Sequence, residues 1–325
     1  MGDIDIRVKN FVKLHSIFAH LFSEGVFHGK VEIDPDKLQE LDTVNQETVR
    51  LEDGQLKGME RLGDAQKITM LFDDKMAFQL IMGVEGQTGI HYYMPVRCME
   101  LDAMSYSAQC RNISEKAKRD KKLKKYSDGV PKGTKIIPVV TLVLYTGRKK
   151  WDAPLSVYDM LDIPDTMKEW AKQTIPDYRM NLIDAKHMKE EDADRFSGDL
   201  KIFLLLQRKH VDREKLKSLV VMYRETWYAL SAVTNNKKYM EYADEVLRDE
   251  KGGVKMDTAL DYLIAEGEAK GEARGKAIGR SQGETRVNKL GMLLAEAGRT
   301  ADFMKSLSDP IYQQKLFAEF GMEEI

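Results

Sequence analysis

The sequence predicts an α/β fold: a small mixed sheet flanked by helices, with a helical extension towards the C-terminal side. Three observations carry this. Two apolar, β-rich runs, 67–72 and 76–84, flank the turn Asp73-Asp74-Lys75, which is a hairpin signal. The run 136–145, IIPVVTLVLY, is continuously apolar and rich in β-branched residues, as a strand covered on both faces is. Apolar residues at helical spacing fill the stretches before, between and after these strands.

The chain starts helically. Residues 7–27 set Val8, Phe11, Val12, Leu14, Ile17, Phe18, Leu21 and Phe22 at helical spacing, an amphipathic helix ending near Gly25 or Gly29. His15 and His20 are five residues apart, not the four that align two ligands on a helix, so they read as ordinary histidines. A short extended piece around Pro35 covers 31–40, and the polar residues 45–58 read as an approach loop or irregular helix. A hairpin turn centred near Asp74 brings Asp64 opposite, or nearly opposite, Glu85. Gln87, two residues further, shares their face.

Pro95 then opens a helix, at a position where proline is tolerated, and Val96, Met99, Ala103, Tyr106 and Cys110 form its stripe. Arg97 near that helix start suits a phosphate, or an ion pair with a neighbouring acid. Residues 115–135 carry nine Lys or Arg, among them Lys118, Arg119, Lys121, Lys122, Lys124 and Lys125, against three acids. They read as contacts to a DNA backbone or as a solvated face. The buried strand 136–145 runs into Arg148-Lys149-Lys150-Trp151. Short helices are expected at 155–161 and 166–171, an edge strand at 178–183, and helices at 196–207, 213–231 and 239–247.

Between 266 and 284, Gly267, Gly271, Gly275, Gly279 and Gly283 recur at every fourth residue. Each interior glycine costs a helix about 0.5–1 kcal/mol relative to alanine, and i, i+4 charge pairs return only a few tenths. A marginal helix or flexible arm is expected, acting as a linker or as an oligomerisation helix. Two tail helices follow, 287–297 closed by Gly298, and 310–320 capped by Ser308 or Asp309 and stopped by Gly321. The chain thus divides into a core at 1–190, a helical extension at 191–262, the glycine-repeat segment at 263–285 and a helical tail at 286–325.

Composition narrows the setting. Over 325 residues the net charge is −2, so no global field draws nucleic acid, and any such binding needs a local basic patch. Two cysteines, Cys98 and Cys110, are too few for a disulfide framework and read as cytosolic thiols. The first residues lack a basic segment followed by an apolar one, and no apolar run is long enough to span a bilayer. A cytoplasmic protein with no membrane partner is expected.

Two carboxylates on neighbouring strands with an amide beside them suit Mg²⁺ or another divalent cation, which takes one or two carboxylates and fills its other positions with water and phosphate oxygens. The same pattern also fits two ordinary strand acids. The series Glu60-Arg61…Asp64, Gly83-Val84-Glu85-Gly86-Gln87-Thr88 and Met94-Pro95-Val96-Arg97 resembles the PD-(D/E)XK nuclease family transposases of the Rpn (recombination-promoting nuclease) type. Pro138-Val139-Val140…Tyr145-Thr146-Gly147, Trp151-Asp152-Ala153-Pro154, the glycine repeat and Glu296-Ala297-Gly298-Arg299 resemble it too. The resemblance implies a restriction-endonuclease-like core and metal-dependent DNA endonuclease activity that promotes recombination. It makes Asp64 and Glu85 the metal-binding acids and catalytic residues, with Gln87 as third catalytic member where the wider superfamily has lysine. An amide can orient water but brings no charge, and losing such a donor typically costs ~10²–10³ in rate. Two other readings therefore stand beside the enzyme. One is a catalytically weak DNA-binding protein, the other a protein–protein module that self-associates through its C-terminal helices.

Overall fold

The architecture was taken from a computed structural model, which describes residues 3–41, 44–50, 56–62, 64–73, 76–122, 129–208, 213–245 and 253–322. The chain forms two compact units, Met1–Ala259 and Leu260–Ile325.

The first unit begins with α1 (Asp3–Lys13) and α2 (His15–His20), the latter running into a π-helical turn at Leu21–Val26. Val8, Phe11, Val12, Ile17, Phe18, Leu21 and Phe22 are all buried, whereas Leu14 is half-buried and its extended backbone breaks the expected single helix into α1 and α2. A 3₁₀ turn at Pro35–Lys37 is capped by Asp34, whose carboxylate accepts from the Asp36 N–H. Two-residue β1 (Gln39–Glu40) follows. The polar stretch expected as loop or irregular helix instead forms a separate antiparallel pair, β2 (Val44–Arg50) and β3 (Leu56–Leu62). Its strands lack the period-2 apolar alternation that announces a strand in sequence.

The central sheet is the one the sequence calls for. It has strand order β1-β4-β5-β6-β7, with β4 (Ala65–Asp73), β5 (Met76–Gln87), β6 (Val139–Tyr145) and β7 (Asn181–Asp184). β4 pairs antiparallel with β1 and β5, whereas β5, β6 and β7 run parallel. Between β5 and β6 lies α3 (Met94–Arg119), with Pro95 in its first turn. The helix runs nine residues past Cys110, where the apolar stripe stops, because its last turns are polar and basic rather than apolar. Residues 74 and 75 of the hairpin turn lie outside the described residues.

Each face of the sheet has its own cover. On one, Met94 and Cys98 of α3 pack with Val143, Tyr145, Trp151, Ala153 and Met180. On the other, Lys67 of β4 is fully buried, its Nζ 5.4 Å from the centroid of the Phe18 ring and bonded to Glu40. Helix α4 (Lys168–Thr174) leads to β7, and the isolated bridge between Ser156 and Arg179 widens that edge.

Helices complete the first unit: α5 (Glu190–Ala193), α6 (Gly198–Leu206), α7 (Arg213–Lys217), α8 (Arg224–Thr234) and α9 (Lys238–Glu245). The single helix expected over 213–231 is broken between α7 and α8 by strand β8 (Val220–Val221), which pairs with β9 (Val254–Lys255). Asp199 explains the break. Its buried carboxylate accepts from the Met222 and Tyr223 N–H groups and the Thr226 hydroxyl, capping the start of α8. The rings of Phe11 and Phe203, 4.6 Å apart, tie α1 to α6.

Helix α10 (Met256–Glu296) runs through the whole glycine repeat. It is followed by α11 (Thr300–Ser306), which the sequence pattern does not announce, and α12 (Pro310–Glu319). Leu290, Leu294, Leu316 and Phe317 make the core of the second unit, with the Arg286 guanidinium 4.1 Å over the Phe317 ring. Gly298 and Gly321 take positive φ and close helices, and the Asp309 carboxylate caps α12 by accepting from the Tyr312 N–H. Among the described residues, no helix is long and apolar enough to cross a membrane.

Candidate active site

The hairpin register decides where the acids meet. Ala65 pairs with Val84 and Asp73 with Met76, one residue away from a turn centred on Asp74, and continuing it sets Asp64 across from Glu85. Asp64 lies at the bend just before β4, so its side chain completes the ladder. Its Oδ2 accepts the Gly86 N–H at 2.7 Å, as a strand carbonyl would, and its own N–H donates to Glu85 Oε1 at 3.2 Å. Gly86 is suited to this approach, since a Cβ there would stand 3.2 Å from Asp64 Oδ2.

Glu85 is 2% exposed. Burial, and then the Asp64 charge, push its carboxyl up to about 7, against the opposing pull of Arg97. From the first turns of α3, Arg97 donates both Nε and Nη2 to Glu85 Oε2, at 3.2 and 3.0 Å. Desolvation first, and then the charges of Glu85 and Asp102, push the buried Cys98 thiol up to about 12, so it stays a neutral core residue. A second buried acid, Asp102 of α3, accepts from Thr141 Oγ1 at 2.5 Å and from Tyr178 OH at 2.7 Å. It clamps α3 to β6 and to the approach to β7.

Does this cluster suit a divalent cation? Two adjacent carboxylates, one held at a raised pKa by burial and by the other, are a pair that an added positive charge relieves. Each carboxylate oxygen in the bonds above keeps accepting capacity. Among the described residues no group of three or more His, Cys, Asp or Glu is placed to share a metal, so the donor set is the two-carboxylate kind that Mg²⁺ uses with waters and phosphate oxygens. On these grounds Asp64 and Glu85 fit such an ion.

The other residues named from sequence fall in different places. Gln87 lies two residues beyond Glu85 on the same strand face, and its carbonyl accepts the Thr146 N–H at 2.8 Å. Arg97 is at the site, engaged with Glu85. The basic run is not. Lys118 and Arg119 end α3, and at 1.5 Å per residue they lie roughly 30 Å along the helix from Arg97. Lys121 and Lys122 follow just beyond, while Lys124 and Lys125 lie outside the described residues. His20 lines another cavity, with Asp199 and Tyr223.

One neighbour carries no signal in the sequence. Lys9 of α1 brings Nζ to 3.6 Å from Asp64 Oδ1, with its side chain 20% exposed. The apolar stripe through Val8, Phe11 and Val12 fixes how α1 rolls, but the strand end that Lys9 meets is far away in sequence.

Residues 119–240 match the family of YhgA-like putative transposases, the PD-(D/E)XK group of Rpn type. The resemblance stated from the sequence is thereby borne out, as is the α/β core with its mixed sheet. The matched stretch starts at the last residue of α3 and leaves Asp64, Glu85 and Gln87 outside it. No curated protein and no solved structure matches the chain.

Proposed function

With that family as the premise, we propose that this protein is a DNA endonuclease that hydrolyses phosphodiester bonds with a divalent cation, Mg²⁺ or a similar ion, held by Asp64 and Glu85. The observation that carries the reading is the buried Glu85 carboxylate set against Asp64, a pair whose burial and mutual repulsion Arg97 offsets only in part. When bound, such an ion lowers the pKa of water and offsets charge on the departing oxygen.

The protein's own groups do the positioning. The Gly86 N–H fixes Asp64, and the Asp64 N–H together with Arg97 fixes Glu85. Gln87, on the Glu85 face, orients the attacking water by hydrogen bonding. It brings no charge, and Lys9 supplies that charge from the Asp64 side. Arg97 then serves Glu85 rather than DNA.

Plasmid nicking in Mg²⁺ or Mn²⁺ tests this. Wild-type protein should nick, and Asp64→Ala and Glu85→Gln should reduce nicking by at least ~10²-fold, the scale of losing a principal electrostatic group. Nicking that survives both substitutions sinks the assignment. A protein that retains DNA without nicking it is the second reading, a binding protein with a silent site, which the neutral Gln87 favours.

A further inference from the structure

A DNA strand cut beside Glu85 needs cations close by, and the run 118–122 begins roughly 30 Å away along α3. A different basic segment lies nearer. Resting on the endonuclease reading, we infer that the loop 146–150, facing the turn 88–92 across a cavity, is the cradle for the DNA backbone phosphates next to the carboxylates.

The cavity, ≈ 580 Å³, opens where β5 and β6 end, the side of a parallel sheet where ligands bind. Thr88, Tyr92, Arg148 and Lys149 are among the residues lining it. Tyr145 is paired with Gln87. Three further residues reach at most about 10 Å, and paired strands are about 4.8 Å apart, so Arg148 lies within roughly 15 Å of Gln87. That is about four base-pair steps at 3.4 Å each, whereas the run at the far end of α3 is about nine steps off.

The loop is built to hold its shape. The Thr146 N–H donates to the Gln87 carbonyl at 2.8 Å, Tyr145 OH donates to the Lys149 carbonyl at 2.8 Å, and the Trp151 N–H donates to Asp184 Oδ2 at 3.0 Å. Gly147 lies against Tyr145 so closely that a Cβ would stand 2.2 Å from it. Arg148, Lys149 and Lys150 are exposed, with no ion-pair partner among the described residues. Cations on a fixed loop spend little ordering entropy when phosphate arrives. The carboxylate in the cavity wall, Asp152, accepts from Tyr92 OH at 3.2 Å. Arg148 and Lys149 thus set two cations against one acid in this cavity, and Lys150, on the same loop, lines the neighbouring cavity with Asp184 and His187.

The test is retention of a short fluorescent duplex by the full chain in EDTA, across a salt series. The triple change Arg148→Ala, Lys149→Ala, Lys150→Ala should flatten the slope of log K against log salt by about 2–3, at about 0.9 for each phosphate that is no longer neutralised. Lys118→Ala, Arg119→Ala, Lys121→Ala, Lys122→Ala should leave it within about 0.5 of wild type. Arg148→Gln alone, removing one charge, should flatten it by about 1 and stands in if the triple change melts early. A slope that follows the far run instead overturns the cradle while leaving the endonuclease reading intact. Wild-type protein that retains no DNA overturns both. A slope that follows 148–150 in a protein that never nicks keeps the cradle and sinks the nuclease.

Discussion

Glu85 is a carboxylate folded at a loss. Its folded pKa, about 7, lies above the ordinary value of 4.5, so the folded state binds its proton more tightly than the unfolded chain does. The stability this proton brings is present at low pH and is lost as pH rises from about 4.5 through about 7. In EDTA, the wild-type melting temperature should therefore fall between pH 5 and pH 8, while Glu85→Gln should show a flatter profile. At pH 8 the variant should be the more stable, by on the order of 2–3 kcal/mol. A variant no more stable at pH 8 than wild type contradicts this account of the site. Lys9 makes a kinetic prediction: Lys9→Met should lower nicking by ~10²-fold or more with metal-free DNA retention unchanged, and Lys9→Arg should recover part of it. At this scale the sequence told half the story. Asp64 and Glu85 could be paired, to within one residue, by counting from a tight turn near Asp74, because strand register is local arithmetic. Lys9 could not, because its meeting with Asp64 depends on how a helix from the start of the chain lies against a hairpin that follows it.

Among the elements, the legible ones were those whose burial writes a period into the sequence. The stripe of α1 and α2, the continuous apolar run of β6 and the cap and stop of α12 all correspond to what forms. Elements held by a single polar side chain were hidden. The break between α7 and α8 depends on Asp199, more than twenty residues upstream, supplying its carboxylate to Met222, Tyr223 and Thr226. The strands β2 and β3 were hidden too, because their sequence carries no period-2 apolar alternation. The glycine repeat lies in α10, and a Cβ at Gly275, Gly279 or Gly283 meets nothing within 4 Å. Changing all three to alanine should raise the stability of this helix by about 0.5–1 kcal/mol per site, read as increased ellipticity at 222 nm and a higher melting temperature. No change, or a loss, would mean these glycines meet another surface.

For the whole molecule, a net charge of −2 leaves DNA association to a small local contact rather than to a global field. The expected slope of log K against log salt is then about −3, well short of the roughly −10 of a protein that grips a long stretch of duplex. A slope steeper than about −6 would bring the far end of α3 back into the interface. Length sets this geometry: α3 spans 26 residues, or roughly 39 Å, from the turn beside Glu85 to the basic run. In the sequence those cations and the carboxylates are separated only by one helix, which makes them look like one site. A helix is also a spacer, and here it keeps them apart.

The bond from the Gly86 N–H to Asp64 Oδ2 also gives the protein a built-in spectroscopic probe. The proton on that nitrogen points at a carboxylate rather than at a backbone carbonyl, so its resonance frequency should follow the electron density on that oxygen. In a ¹⁵N-labelled sample, adding Mg²⁺ should shift the Gly86 cross-peak, and Asp64→Asn should move it in the absence of any ion. Occupancy of the site could then be followed at a single glycine, without DNA and without turnover.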